Sequence, residues 1–361
     1  MFLRSSIIST EEEMPITSGH DFFIQWHLTE RCNLRCSHCY QSGHRTDELS
    51  LAEIREVAEE VSDMLAAWSE IYEIAFSPSF NITGGEPFLR QDLFDILHYL
   101  SGRGFELYLL TNGTLIDREK AVRLAMTGVE GVQVSIEGPE EVHDRIRGKG
   151  SFVSSLRGIS FLLDAGITVT LNATLSEINA DRFPEMVSLA SSIGAQKLGF
   201  SRLVPSGRGA GLIKRMIDKE RLRKIYEEIF SLTPEHLEIV TGDPVASQIS
   251  AKPDSLDQGA VPTAGCAAGL SGLTFLPDGT IVPCRRLFIP LGNVRKDNLR
   301  EVWATSSVLN ALRDRSRYRG KCGACRRWAG CRGCRAIAYA YEHSRGEDDF
   351  LAEDPQCFIA Q

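Results

Sequence analysis

Between Phe22 and about Phe230, short apolar runs of strand length alternate with longer segments whose apolar residues recur every three to four positions. The runs Phe22–Leu28, Phe80–Thr83, Phe105–Leu110, Val132–Ile136, Ile167–Ala173 and Lys197–Leu203 read as strands. The segments Leu51–Ala67, Gln91–Leu100, Arg118–Met126, Phe152–Asp164, Phe183–Ser192 and Lys219–Phe230 read as helices. Ser50 followed by Glu53 has the spacing of a capping box, and Asp117 stands where a helix N-cap belongs. Six strands joined by right-handed helical crossovers predict an α/β fold, a parallel sheet curved into a partial (β/α)6 barrel. Ligand chemistry then belongs at the C-terminal ends of the strands.

Beyond Phe230 the pattern changes. Residues 241–265, rich in Pro, Gly, Ser, Ala and Asp, read as a connecting loop. Leu273–Leu276, the turn Pro277-Asp278-Gly279 and Thr280–Val282 read as a hairpin, followed by a helix around Leu299–Arg313 and a cysteine-dense tail. The expected division is therefore an N-terminal tail over 1–21, the barrel over 22–240 and a small Cys-rich domain over 241–361.

Composition narrows the function. The 361 residues are 43% apolar and 24% charged, ordinary for a folded globular chain. A formal charge of −8 argues against nonspecific nucleic-acid binding. No apolar run nears the roughly 20 residues that cross a bilayer. Met1–Ile16, with one Arg and the acidic run Glu11-Glu12-Glu13, does not read as a secretory signal. A cytoplasmic setting follows, in which cysteines serve metals more often than disulfides. The ten cysteines fall into two groups, three between positions 32 and 39 and seven between 266 and 357.

Cys32, Cys36 and Cys39 form Cys-x3-Cys-x2-Cys directly after the first strand. Three thiolates can hold three irons of a four-iron cluster and leave the fourth open, whereas electron-transfer clusters are closed by four. The alternative is a zinc loop completed by His38 or His44. Thr83-Gly84-Gly85-Glu86-Pro87 follows the second strand, Thr111-Asn112-Gly113 the third and Ser135-Ile136-Glu137 the fourth; His143-Asp144-Arg145-Ile146-Arg147-Gly148 comes next.

In this order of motifs, residues 22–230 resemble the radical S-adenosylmethionine (SAM) superfamily. The resemblance implies that the open iron chelates SAM and that Gly84, Gly85 and Glu86 lie against its amino group. It also implies His38 near adenine, Ser135 and Glu137 at the ribose, and Arg147 forked on the SAM carboxylate, with Asn172 on the fifth strand as a further contact. A reduced cluster then gives methionine and a 5′-deoxyadenosyl radical that abstracts a substrate hydrogen. The expected electron donor is a flavodoxin or ferredoxin.

Residues 262–361 resemble the SPASM extension of that superfamily, which carries two auxiliary four-iron clusters, for three clusters in all. By its pattern Cys322, Cys325, Cys331 and Cys357 close one cluster, while Cys266, Cys284 and Cys334 hold the other with one iron open. One departure stands out. Two residues, Arg332 and Gly333, precede Cys334 where the family usually has three. Zinc sites or a non-enzymatic electron carrier are the alternatives.

Relatives with this extension mostly modify peptides or proteins, which is the expected activity here. A sulfatase-maturing subgroup places an Asp after the second extension cysteine; Arg285 and then Arg286 occupy that place here. The tail from Cys331 to Cys357 is also similar to enzymes that trim tetrapyrrole side chains in haem-type biosynthesis, the alternative substrate. With only about 21 residues before the first strand, a peptide would be recognised by a separate protein or by the barrel itself.

Overall fold

The computed structural model of the protein describes residues 20–43, 47–250, 262 and 264–359. The readings for Met1–Ile16, for His44 and for 251–261 of the connecting loop fall outside them.

Seven strands alternate with helices: β1 (His20–His27), β2 (Phe76–Thr83), β3 (Glu106–Thr111), β4 (Gly131–Ser135), β5 (Val169–Leu175), β6 (Lys197–Arg202) and β7 (Glu238–Thr241). They lie side by side in chain order, all parallel. The six expected strands are present. β7 is a seventh, four residues long and only partly buried, so its apolar run is too short to stand out before the Gly-Asp-Pro segment.

The helices of this unit are α1 (Leu51–Tyr72), α2 (Leu93–Gly102), α3 (Arg118–Ala125), α4 (Glu140–Arg147), α5 (Ser151–Asp164), α6 (Phe183–Ile193) and α7 (Lys219–Ser231). Ser50 and Glu53 form the expected reciprocal capping box. α1 runs past the expected Ala67, and its last turn leaves Ile71 and Tyr72 exposed. α4 was not legible because only Val142, His143 and Ile146 are buried. Its Glu140 and Glu141 at the start and Arg145 and Arg147 at the end complement the helix dipole.

The sheet does not stop at the Cys-rich region. The hairpin strand β8 (Gly272–Phe275) pairs in parallel with the free side of β1, and β9 (Thr280–Val282) and β10 (Gly292–Asn293) extend it antiparallel. The result is one open ten-stranded sheet with β10 and β7 at its edges, an incomplete α/β barrel. A side chain at Gly272 would place Cβ 2.0 Å from the Phe23 carbonyl, so this junction needs glycine. Phe275 meets Trp26 edge-on at 5.3 Å, and Trp26 packs on Phe80 at 5.6 Å, so one aromatic core spans β8, β1 and β2.

Short helices complete the chain: α8 (Ser247–Ser250), α9 (Leu299–Thr305), α10 (Ser307–Arg313), α11 (Gly320–Ala324) and α12 (Arg335–His343). The single helix expected over Leu299–Arg313 is broken at Ser306, whose side chain caps α10. Trp303 joins Phe22 and Trp68, while Arg295 pairs with Glu53 at 2.6 Å. The Cys-rich region is thereby clasped to α1.

Candidate functional site

The loop after β1 carries the first three cysteines, and three neighbouring segments hold its backbone. Gly85 N–H donates to the Thr29 carbonyl at 2.7 Å and Glu86 N–H to that of Arg31 at 2.8 Å. Ser37 N–H donates to the Ile146 carbonyl at the end of α4, and Gly209 N–H to that of Cys39. Close approach explains the glycines. A Cβ at Gly84 would lie 2.4 Å from the Thr29 oxygen, and one at Gly85 2.1 Å from the Arg31 oxygen. These two glycines therefore let the GGEP loop press against the cysteine loop itself. Gly207, in the left-handed region with φ 55°, does the same after β6; its Cβ would meet the Tyr40 carbonyl at 2.1 Å. The Ser206-Gly207-Arg208-Gly209 run was the overlooked signal for this contact.

Glu86 is fully buried and fixes the loop. It accepts from Thr111 Oγ1 at 2.8 Å and from the backbone N–H groups of Asn112 at 2.9 Å and Phe88 at 3.3 Å. Burial raises its pKa, and these donors oppose the shift. Asn112 in turn donates to Asn33 inside the cysteine loop at 2.9 Å. The Thr111-Asn112-Gly113 segment is thus a brace for that loop as well as a turn.

Cys32, Cys36, His38 and Cys39 line one cavity with Gly84, Gly85, Ser135, Arg147 and Asn172. Sequence elements spread over 140 residues converge there, at the C-terminal ends of the strands. The empty space amounts to about 910 Å³, part of it open to solvent. Burial pushes the Cys32 thiol up to about 11, with the neighbouring Glu86, Cys36 and Cys39 adding to the shift. Such thiols ionise when a metal replaces the proton.

Glu137 is also fully buried and is the node of the opposite wall. Arg147 donates to its Oε1 from Nε at 2.9 Å and from Nη2 at 2.5 Å, and His38 Nε2 lies 3.1 Å from the same oxygen. Thr174 N–H donates to Oε2 at 2.9 Å. Burial opposes the charge, but Arg147 and His38 outweigh it and hold the carboxyl well below the usual range. Arg147 also directs Nη1 at Cys36 Sγ, 3.8 Å away. With only 11% of its side chain exposed, Arg147 is no surface charge. His38 Nδ1 is buried without a partner among the described residues.

The remaining cysteines line the C-terminal region. Cys322, Cys325, Cys331 and Cys357 line one hollow of about 1210 Å³ of empty space, part of it open to solvent, together with Gln248 and Arg332. Gln248 Nε2 donates to Cys357 Sγ at 3.4 Å and reaches Cys331 Sγ at 3.8 Å. Arg332 is 1% exposed, and its Nε and Nη1 have no partner. Buried, unpaired donors beside four thiols fit a polynuclear centre of thiolate and sulfide, which is rich in acceptors. Cys334 faces elsewhere, its electrostatic neighbours being Arg286, Cys266 and Arg202. Arg286 in turn neighbours both Cys334 and Cys284. The short spacing works because Arg332 and Gly333 are both left-handed, at φ 60° and 59°. That reversal leaves Cys331 lining the hollow and turns Cys334 away from it. All ten cysteines are free thiols, and no three His, Cys, Asp or Glu side chains among the described residues gather around a single-ion site.

Arg202 joins the two regions. At the end of β6 it forks onto Asp243 (2.6 and 2.9 Å) and onto Asp354 (2.9 and 2.8 Å), and Asp354 accepts from Cys334 N–H at 2.8 Å.

Known proteins agree with this geometry. The radical SAM superfamily description matches residues 26–190, and that of the SPASM iron–sulfur cluster-binding domain matches 266–334. An AdoMet-dependent heme synthase of Nitratidesulfovibrio vulgaris is 32% identical, over 92% of this chain and 91% of the relative. A mycofactocin maturase of Mycolicibacterium smegmatis is 31% identical, over 88% of this chain and 78% of the relative. The fold is shared with SuiB of Streptococcus suis, solved with S-adenosylmethionine, at TM-score 0.74 and 16% identity, covering 94% of this chain and 78% of that one. The chain belongs to the radical SAM superfamily and is an enzyme of its SPASM-bearing branch.

Proposed function

We propose that the chain cleaves SAM reductively at the Cys32, Cys36 and Cys39 site and modifies a side chain of a peptide or protein. The bound four-iron cluster and SAM would supply a 5′-deoxyadenosyl radical for hydrogen abstraction. Arg147 would hold the SAM carboxylate, Gly84 and Gly85 would offer backbone groups to its amino end, and His38, Ser135 and Asn172 would line its nucleoside. Glu137 would serve by keeping Arg147 and His38 in place. Cys322, Cys325, Cys331 and Cys357 would hold one auxiliary four-iron cluster, and Cys266, Cys284 and Cys334 the other. A flavodoxin or ferredoxin would deliver the electron, in a cytoplasmic setting that keeps the thiols reduced.

The observation that carries the peptide reading is the lining of the cavity. That lining is mixed: Gln41, Gln133, Thr174 and Ser201 interrupt the apolar surface to which Leu110 and Val204 contribute. A macrocycle asks for broad apolar walls, whereas a mixed lining suits one side chain presented by a hydrated backbone. Relatives named as mycofactocin maturases agree with this choice. The second reading, a tetrapyrrole substrate, is favoured by relatives named as heme synthases that match over nearly their full length.

The test is anaerobic turnover of the reconstituted protein with SAM and dithionite. One arm adds a pool of short synthetic peptides, and the other adds iron coproporphyrin. Faster 5′-deoxyadenosine release and a mass change confined to the peptide arm are expected. The opposite pattern would replace the peptide reading with the tetrapyrrole one.

A further inference from the structure

Two arginines follow Cys284 on the loop after β9; both line the cavity with the first three cysteines, and they are held differently. Arg286 donates from Nη1 to the Arg202 carbonyl at 3.3 Å and lies beside the thiols of Cys284 and Cys334. It belongs to the C-terminal thiol group and braces the loop. Arg285 lines the cavity with the first three cysteines, as Arg286 does, but no hydrogen bond from its guanidinium is formed among the described residues. Its guanidinium lies over the Tyr40 ring, 5.8 Å from the centroid. Stacking of this kind fixes the plane of the fork while leaving its N–H edge free.

That edge has no acceptor among the described residues. The cavity's buried carboxylates are already committed, Glu86 to Thr111 and Asn112, and Glu137 to Arg147 and His38. Arg202, also on the wall, is saturated by Asp243 and Asp354. The chain thus places a partly buried, oriented cation beside the reactive centre, with Tyr40, Arg286 and Cys284 as its electrostatic neighbours and no carboxylate bonded to it among the described residues. Arg208, exposed at the same mouth, adds a second positive charge.

We infer that Arg285 is a substrate anchor: it receives a carboxylate that the substrate carries next to the position to be modified. A single planar fork matches the two oxygens of a carboxylate with two parallel bonds. The inference rests on the reading that this cavity is where SAM and substrate meet. It deepens that reading by naming the anionic group the substrate must present, whether from an acidic peptide residue or a tetrapyrrole side chain.

The test uses the reconstituted holoprotein with SAM bound and compares two probes by equilibrium dialysis. N-acetyl-glutamate N-methylamide carries the carboxylate, and N-acetyl-glutamine N-methylamide is its uncharged match in shape. The wild type should favour the charged probe by about tenfold or more, the scale of one charge-assisted pair. Arg285→Gln should erase the preference, and Arg285→Lys, which keeps the charge but not the fork, should restore part of it. Iron content, measured on each variant, confirms that the protein is loaded. The inference is overturned if the wild type shows no preference, or if Arg285→Gln retains it. It is equally overturned if inorganic phosphate displaces the probe better than acetate does, or if the substitution weakens SAM in place of the probe. Competition by a glutamate-containing peptide or by coproporphyrin supports the anchor and identifies the carboxylate's source. If the wild type shows the preference yet makes no 5′-deoxyadenosine, the proposed function fails and the anchor stands.

Discussion

Arg202→Met removes the charge that joins the barrel to the C-terminal cysteines while keeping most of the side chain's bulk. Arg202 is 1% exposed and gives four hydrogen bonds to Asp243 and Asp354, with a fifth to Gln356 at 3.0 Å. Its loss strands two buried carboxylates. Each keeps some donors: Tyr226 Oη and Val245 N–H for Asp243, Cys334 N–H and Gln356 N–H for Asp354. Breaking a buried pair from one side costs about 3–5 kcal/mol, so the opened tail should become about two to four powers of ten more populated. Hydrogen exchange under anaerobic conditions should speed up in α12 and around Cys357, while β1–β5 stay protected. Loss of roughly eight irons, two four-iron clusters, should accompany the opening. Adding Asp243→Asn and Asp354→Asn to Arg202→Met should recover much of the stability, because no uncompensated charge then remains. A single variant within about 1 kcal/mol of wild type, with full iron content, would show that Arg202 does not hold the tail to the barrel.

Gly85→Ala drives a Cβ to 2.1 Å from the Arg31 carbonyl; overpacking of this kind costs about 1–3 kcal/mol, and lower iron retention in the first three-cysteine site should be measurable by iron assay. Arg147→Ala should raise the SAM dissociation constant about tenfold or more. Because it also strands buried Glu137, the double variant with Glu137→Gln should be more thermostable than Arg147→Ala while binding SAM no better. Glu53 is held down to about 2 by Arg295 and the Ser50 backbone N–H. A depressed carboxylate stabilises fully above its ordinary value of 4.5 and progressively less as pH falls toward 2. The denaturation advantage of wild type over Glu53→Gln should therefore be complete at neutral pH and shrink on acidification; an advantage that does not vary with pH would contradict the pairing.

What the sequence disclosed follows from locality. Phe22–Leu28 and Lys197–Leu203 are visible as strands because alternate residues, Phe22, Ile24, Trp26 and Leu28 in one and Leu198 and Phe200 in the other, are apolar and buried, and Ser50 with Glu53 states its cap within four residues. α4 stayed hidden because a polar helix with three buried side chains has little period to read, although it delivers Arg147. The pairing of β8 with β1 depends on Gly272 meeting Phe23, a contact between residues 249 positions apart, and no short-range pattern encodes it. The same holds for Arg202 and Asp354, separated by 152 positions. The motif residues were legible as a set, but not the division of labour among them. Glu86 and Glu137 spend their oxygens on holding the walls, and Gly84 and Gly85 make room for the cysteine loop. The two-residue spacing before Cys334 became intelligible only with the left-handed backbone of Arg332 and Gly333.

The proposed SAM-cleaving centre rests on Cys32, Cys36 and Cys39. Its most direct test is anaerobic incubation of the triple Cys32→Ala, Cys36→Ala, Cys39→Ala protein with SAM and dithionite, read by 5′-deoxyadenosine release and iron content. The variant should lose about four irons, one cluster's complement, keep the absorbance of the C-terminal centres and form no 5′-deoxyadenosine. Continued SAM cleavage by the triple variant would contradict the claim.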